Sequence, residues 1–232
     1  MIAEDDLDGR LKQDNPFVWL GCRFIEDTVR RADVVLLYAF QQELRRITDT
    51  VENPMIAAIR FAWWREHLDR GGAALPTGHP VADPLAEGVR RGVFDPALLD
   101  RIIDDESGEP PAPGYTPPLL TSAALALDPA APPASLTPIG TALALAIRLR
   151  SGRVEEAVER REGQAPSAER LQALAAFGEV WPEARAASRA LSPAAFPAVV
   201  HATLATHWAR GRADNPLRDR LRMVMAVARG SI

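Results

Sequence analysis

Hydrophobic residues along this chain recur every three or four positions, not every second one. Between 28 and 51 they are Val29, Ala32, Leu36, Phe40, Leu44, Ile47 and Val51, a spacing that draws one stripe along an α-helix. The same period predicts helices over 54–70, 84–91, 96–105, 138–151, about 153–162, 168–190, 193–210 and 216–229. Phe40, Ile59 and Trp63 are the expected core contacts of the first two long helices, which should lie antiparallel and adjacent, with Trp64 packed between helices. Gly71-Gly72 and Gly230 read as helix stops, Gly152 as a separator and Pro182 as a break or bend.

The helix starts carry their own mark. A good capping residue directly followed by proline occurs at Asn15-Pro16, Asn53-Pro54, Asp83-Pro84, Asp95-Pro96, Thr137-Pro138, Ser192-Pro193 and Asn215-Pro216. The cap oxygen accepts from an orphan backbone N–H, and proline at the first helical position gives up only a donor that had no partner. No segment alternates as a strand would. The reading is an all-α bundle, one domain over 1–232. Residues 106–136 interrupt it with eight prolines, among them Pro110, Pro117 and Pro132, and read as an irregular stretch in which Leu119 to Leu127 can form a short helix.

Composition adds limits. Hydrophobic residues make up 47% and charged ones 25%, a globular balance. A net charge of −4 leaves no basic stripe, which argues against nucleic acid as a partner. Lys12 is the single lysine among 27 basic residues, which the alanine-rich composition attributes to codon usage. One cysteine, Cys22, excludes an internal disulfide and reads as a small core residue. The acidic start Glu4-Asp5-Asp6-Leu7-Asp8 is the opposite of a signal peptide's basic start. No apolar run approaches the roughly 20 residues of a membrane span. The expected location is cytoplasmic, with no transmembrane segment and with peripheral membrane contact left open.

Standard chemistry-bearing motifs are missing: no Gly-rich phosphate loop, no HExxH, no nucleophile elbow. His67, His79, His201 and His207 lie far apart or on different helix faces and read as structural. The distinctive wording is Leu37-Tyr38-Ala39-Phe40-Gln41-Gln42-Glu43-Leu44-Arg45-Arg46, followed by Asn53-Pro54-Met55-Ile56 and Ile59-Arg60-Phe61-Ala62-Trp63-Trp64-Arg65-Glu66-His67-Leu68-Asp69. This resembles the squalene/phytoene synthase family, densely from Asn15 to Asp69, weakly through His79-Pro80 and the 96–105 helix, and again over Gly140–Arg150. Its wording comes nearest a non-catalytic branch that includes a mitochondrial complex I assembly factor.

The resemblance implies an isoprenoid-synthase-like helical bundle. Synthases of the family join two prenyl diphosphates head to head, with Mg²⁺ held between diphosphate oxygens and two facing DxxxD turns; Mg²⁺ is a hard ion that takes oxygen ligands. Laid on this chain, the first turn falls at Arg45 and Asp49, and the second at Ser151 and Glu155. Each keeps one carboxylate of two, and Arg45 reverses the charge. Arg45 is expected to pair with Asp49 one turn on.

The family correspondence leaves Tyr38, Gln42, Arg45, Asp49, Arg150 and Glu155 as vestigial substrate-binding candidates, with no catalytic or metal-binding residue expected. The chain is also short for the family, and 106–136 stands where cavity-lining helices are expected. The favoured reading is a pseudoenzyme that binds an isoprenoid-like apolar ligand or a protein partner in complex assembly, without cofactor. An alternative keeps activity in terpenoid biosynthesis: a head-to-head prenyltransferase with Mg²⁺, or with Arg45, Arg46, Arg148 and Arg150 clamping diphosphate directly. A third reading is a bundle whose cavity has collapsed and which works through its surface.

Overall fold

The computed structural model describes residues 4–69, 76–108, 116–151, 167–212 and 215–232. Among these, every regular element is a helix. In chain order they are α1 (Glu4–Asp14), α2 (Pro16–Cys22), α3 (Thr28–Thr50), α4 (Pro54–Asp69), α5 (Ala82–Arg90), α6 (Pro96–Ser107), α7 (Pro117–Leu127), α8 (Pro133–Ser151), α9 (Ala168–Ser188), two 3₁₀ turns (Phe196–Ala198 and Val200–Leu204), α10 (Ala205–Ala209) and α11 (Pro216–Arg229). The expected 153–162 helix, Gly152 and Gly71-Gly72 lie outside the described residues.

Four of the capped prolines work as the sequence suggests. The side-chain oxygens of Asn15, Asn53, Asp95 and Asn215 accept from the main-chain N–H of Val18, Met55, Ala97 and Arg218. Three do not start helices. Asp83 already sits inside α5, and its carboxylate turns back to Thr77 and Gly78. The cap of α5 falls instead to His79, whose Nδ1 accepts from the N–H of Val81 and Ala82 at 3.2 and 3.1 Å. Pro138 lies within α8, which begins five residues earlier at Pro133; so near the helix start, proline forfeits only the bond to the Ala134 carbonyl.

Ser192 caps only a short turn, accepting from the Ala195 N–H while its hydroxyl donates to Asp128 at 2.5 Å. The continuous 193–210 helix is therefore not formed. Pro197 lacks the N–H that an α-helix needs there, and the segment winds as the two 3₁₀ turns before α10. Pro182, by contrast, is accommodated within the single helix α9.

The prolines of 106–136 do not exclude order. Pro117 and Pro118 open α7, and Leu119, Leu120, Ala123, Ala124 and Leu127 on it are almost wholly buried. A helix apolar all round belongs in an interior, and α7 lies against α3, α6 and α8. Gly140 makes the α7–α8 approach possible: a Cβ there would stand 2.7 Å from the Pro117 Cα. The short helix expected over Leu119 to Leu127 is present, starting at Pro117, and 133–136, the first turn of α8, corrects the expectation of an irregular stretch there.

The core also corrects the expected face of α4. Phe40 is fully buried, but its partner is Trp64, at 5.1 Å between ring centroids. Phe61, Trp64 and Leu68 point inward, whereas Ile59 is 63% exposed and Trp63 lies at the surface. Both faces of α4 are apolar, so period alone could not choose between them. Cys22 is buried, as expected, and its surroundings push the thiol up to about 12.

Candidate functional site

The C-terminal half of α3 carries two adjoining polar stripes. Tyr38, Gln42, Arg45 and Asp49 follow one another at spacings of four, three and four residues and so share a face. Gln41 and Thr48 form the neighbouring row, turned toward the end of α6. There Gln41 Nε2 donates to Glu106 Oε1 at 2.6 Å, and the Thr48 hydroxyl donates to the Glu106 main-chain carbonyl at 3.1 Å.

Glu106 is only 2% exposed. Burial pushes its carboxyl up to about 7; the Gln41 hydrogen bond and the Arg45 charge hold it down in part, while Asp105 and Asp49 push it the same way as burial. Burial also raises Asp105. Beside this couple a groove of about 560 Å³ opens between α3, α4 and α6, with Val51, Pro54, Ala57 and Phe61 as apolar walls. Arg65 stands at its edge, forked onto Asp100 (2.8 Å) and Asp104 of α6. Thr48, Glu52, Arg65 and Ser107 line the groove with Glu106, so the cleft offers a ligand an apolar wall together with polar partners of both charge signs.

The four expected site residues on α3 differ in exposure, and Arg150 lies apart from them. Arg45 and Asp49 do pair, Nε to Oδ2 at 3.8 Å, with side chains 48% and 63% exposed. Tyr38 is buried, edge-on to the His201 ring at 6.5 Å between centroids. Gln42 is half-buried. Arg150 lies over the rings of Trp208 (4.9 Å) and Phe17 (5.8 Å), while Arg148 turns to Glu169 on α9. Ser151 spends its hydroxyl on the Arg148 carbonyl. Glu155 lies outside the described residues. Among the described residues no group of three or more His, Cys, Asp or Glu is placed to hold a metal ion.

Glu106 itself escaped the sequence reading. Its signal is its register: Leu99, Ile102 and Ile103 are the buried face of α6, and Glu106 continues that face. An acid in an apolar row is a buried carboxyl with a partner.

The histidines have structural surroundings. His67 stacks on Trp63 at 5.3 Å, and its Nε2 lies 3.5 Å from Asp83. Desolvation works to raise Asp83, but donors from Thr77 and Gly78 outweigh it and hold the carboxyl below its ordinary value. Burial drives His201 down to about 3, which leaves it neutral.

Residues 18–105, from α2 into α6, match the squalene/phytoene synthase family, while α7 to α11 lie beyond the match. The chain is also similar to "NADH dehydrogenase (ubiquinone) complex I, assembly factor 6" of Bos taurus, 31% identical over 84 residues. That stretch is 36% of this chain and 25% of the relative, so the similarity spans about a quarter of the relative's length.

Proposed function

We propose that this protein is a squalene/phytoene synthase-like pseudoenzyme that acts as a binding or assembly factor and has no prenyltransferase activity. The observation that carries this is the Arg45–Asp49 ion pair. It stands where the family resemblance sets the first pair of metal-binding aspartates. A guanidinium there repels Mg²⁺ and occupies the remaining carboxylate. The similarity to a protein named as a complex I assembly factor supports a protein partner in complex assembly. The apolar wall of the groove beside Glu106, built by Val51, Pro54, Ala57 and Phe61, supports an isoprenoid-like ligand. No helix of the described residues is long and apolar enough to cross a membrane, and we place the protein in the cytoplasm.

Calorimetric titration with a prenyl diphosphate, with and without Mg²⁺, tests this reading together with product analysis. The wild type is expected to form no head-to-head product and to show no Mg²⁺-dependent binding. The double reversion Arg45→Asp with Ser151→Asp is expected to gain Mg²⁺-dependent binding. Product formed by the wild type would overturn the proposal. So would tight wild-type binding that collapses in Arg45→Ala, where loss of a buried charge-assisted partner would cost about 2–5 kcal/mol.

A further inference from the structure

Helix α11 is apolar on two opposite faces. Its inner face, Asp219, Met223 and Ala226, is buried against the rest of the molecule. Its outer face carries Leu217, Leu221, Val224 and Met225, all exposed, with Leu217 at 78% and Leu221 at 61%. At helical spacing these four cover about 100° of arc, the width of a core-facing stripe, yet they face outward.

Charge frames that stripe. Arg218, Arg222 and Arg229 fall along one flank and Arg220 along the other, while the helix's one acid, Asp219, is buried and bonded to Arg222 at 2.9 Å. In a protein of net charge −4 this helix is a local cationic exception. Beside the stripe, a recess of about 480 Å³ is edged by Arg185, Arg218, Arg222 and Arg229, with Arg185 donating to the Ile232 carbonyl at 3.3 Å.

We infer that α11 lies flat on an anionic phospholipid surface, its outer leucines and Met225 among the acyl chains and its arginines at the headgroup phosphates. An amphipathic helix with an apolar stripe between cationic flanks has this interfacial geometry, and arginines near an anionic leaflet add attraction that salt screens. Leu221 and Met225 of the stripe also line the arginine-edged recess, so apolar and cationic groups stand side by side, as acyl chains and headgroup phosphates do at a phospholipid surface. A second copy would set cationic flanks against each other. The inference is independent of any ligand at the Glu106 groove.

The test is co-sedimentation of the full chain with vesicles of phosphatidylcholine alone and of phosphatidylcholine containing phosphatidylglycerol. Partitioning is expected to be at least about tenfold stronger on the anionic vesicles and to fall with added salt. Leu217→Asp with Leu221→Asp, both exposed, should abolish it while leaving the circular dichroism spectrum unchanged. Arg218→Gln with Arg229→Gln should weaken it about tenfold. Leu221→Trp should be quenched by brominated acyl chains. Absence of binding to anionic vesicles, or binding indifferent to the Leu217/Leu221 pair, would overturn the inference. So would a dimer, seen by light scattering without lipid, that the same pair dissociates, because a second copy would then cover the stripe.

Discussion

Two polar couples sit within two turns of each other on α3, and the fold treats them oppositely. Arg45–Asp49 is a pair of full charges in solvent, separated by 3.8 Å. Gln41–Glu106 joins an amide to a carboxyl in the interior at 2.6 Å, with the carboxyl driven up to about 7. The pair that draws attention in the sequence contributes little to stability, because water already screens both partners. The couple that the sequence hides ties stability to pH, because burial removes the water that would stabilise the carboxylate's charge.

The largest expected effect follows from Glu106. Its folded pKa lies above its ordinary value of 4.5, so the native state holds a proton that the unfolded chain releases. The Glu106 contribution to stability is therefore greatest below about pH 4.5, falls as pH rises to about 7 and levels off above, while buried His201 contributes the opposite trend below its ordinary 6.5. At 1.36 kcal/mol per pKa unit the loss is about 3 kcal/mol. Glu106→Gln keeps the shape without the charge and should recover about that much at pH 8. Urea denaturation at pH 5 and pH 8 measures it; an equal difference between the two pH values in wild type and variant would show that Glu106 does not carry the response.

Gln41→Leu should act next in size. It removes the donor that faces Glu106 and leaves a buried carboxyl short of a partner, a loss of about 1–3 kcal/mol. The loss should be greater at pH 8 than at pH 5, since the ionised form depends more on that N–H. A loss equal at both values would mean that Gln41 contributes packing alone.

The smallest effect belongs to the exposed pair. Arg45→Ala should change stability by no more than about 0.5 kcal/mol. It should nevertheless raise the Glu106 titration midpoint, because the Arg45 charge holds that carboxyl down, and Asp49→Asn should lower it. Side-chain carboxyl NMR across pH 4–9 reads both shifts. Movement in the opposite direction would separate the two couples altogether.

Much of this was legible in the residues. The three-to-four spacing and the Asn15, Asn53, Asp95 and Asn215 caps are local signals, and each marks a helix start in the structure. The Tyr38-to-Asp69 wording pointed to the family that matches 18–105. The Arg45–Asp49 pair was also expected, since side chains four apart on a helix are neighbours whatever surrounds them.

Which apolar face of α4 turns inward was decided elsewhere, by Phe40 across the core selecting Trp64 over Trp63. The short helix legible at Leu119 to Leu127 became a central one because α3, α6 and α8 enclose it and Gly140 lets α8 approach. Glu106 acquired its shifted carboxyl only because α6 carries it against Gln41, 65 residues distant in the chain. Helix type, caps and short-range ion pairs depend on neighbours three and four residues apart, and so are written locally in the chain. Burial, face selection and electrostatic environment depend on groups brought together from far along the chain, and so arise only with the packed fold.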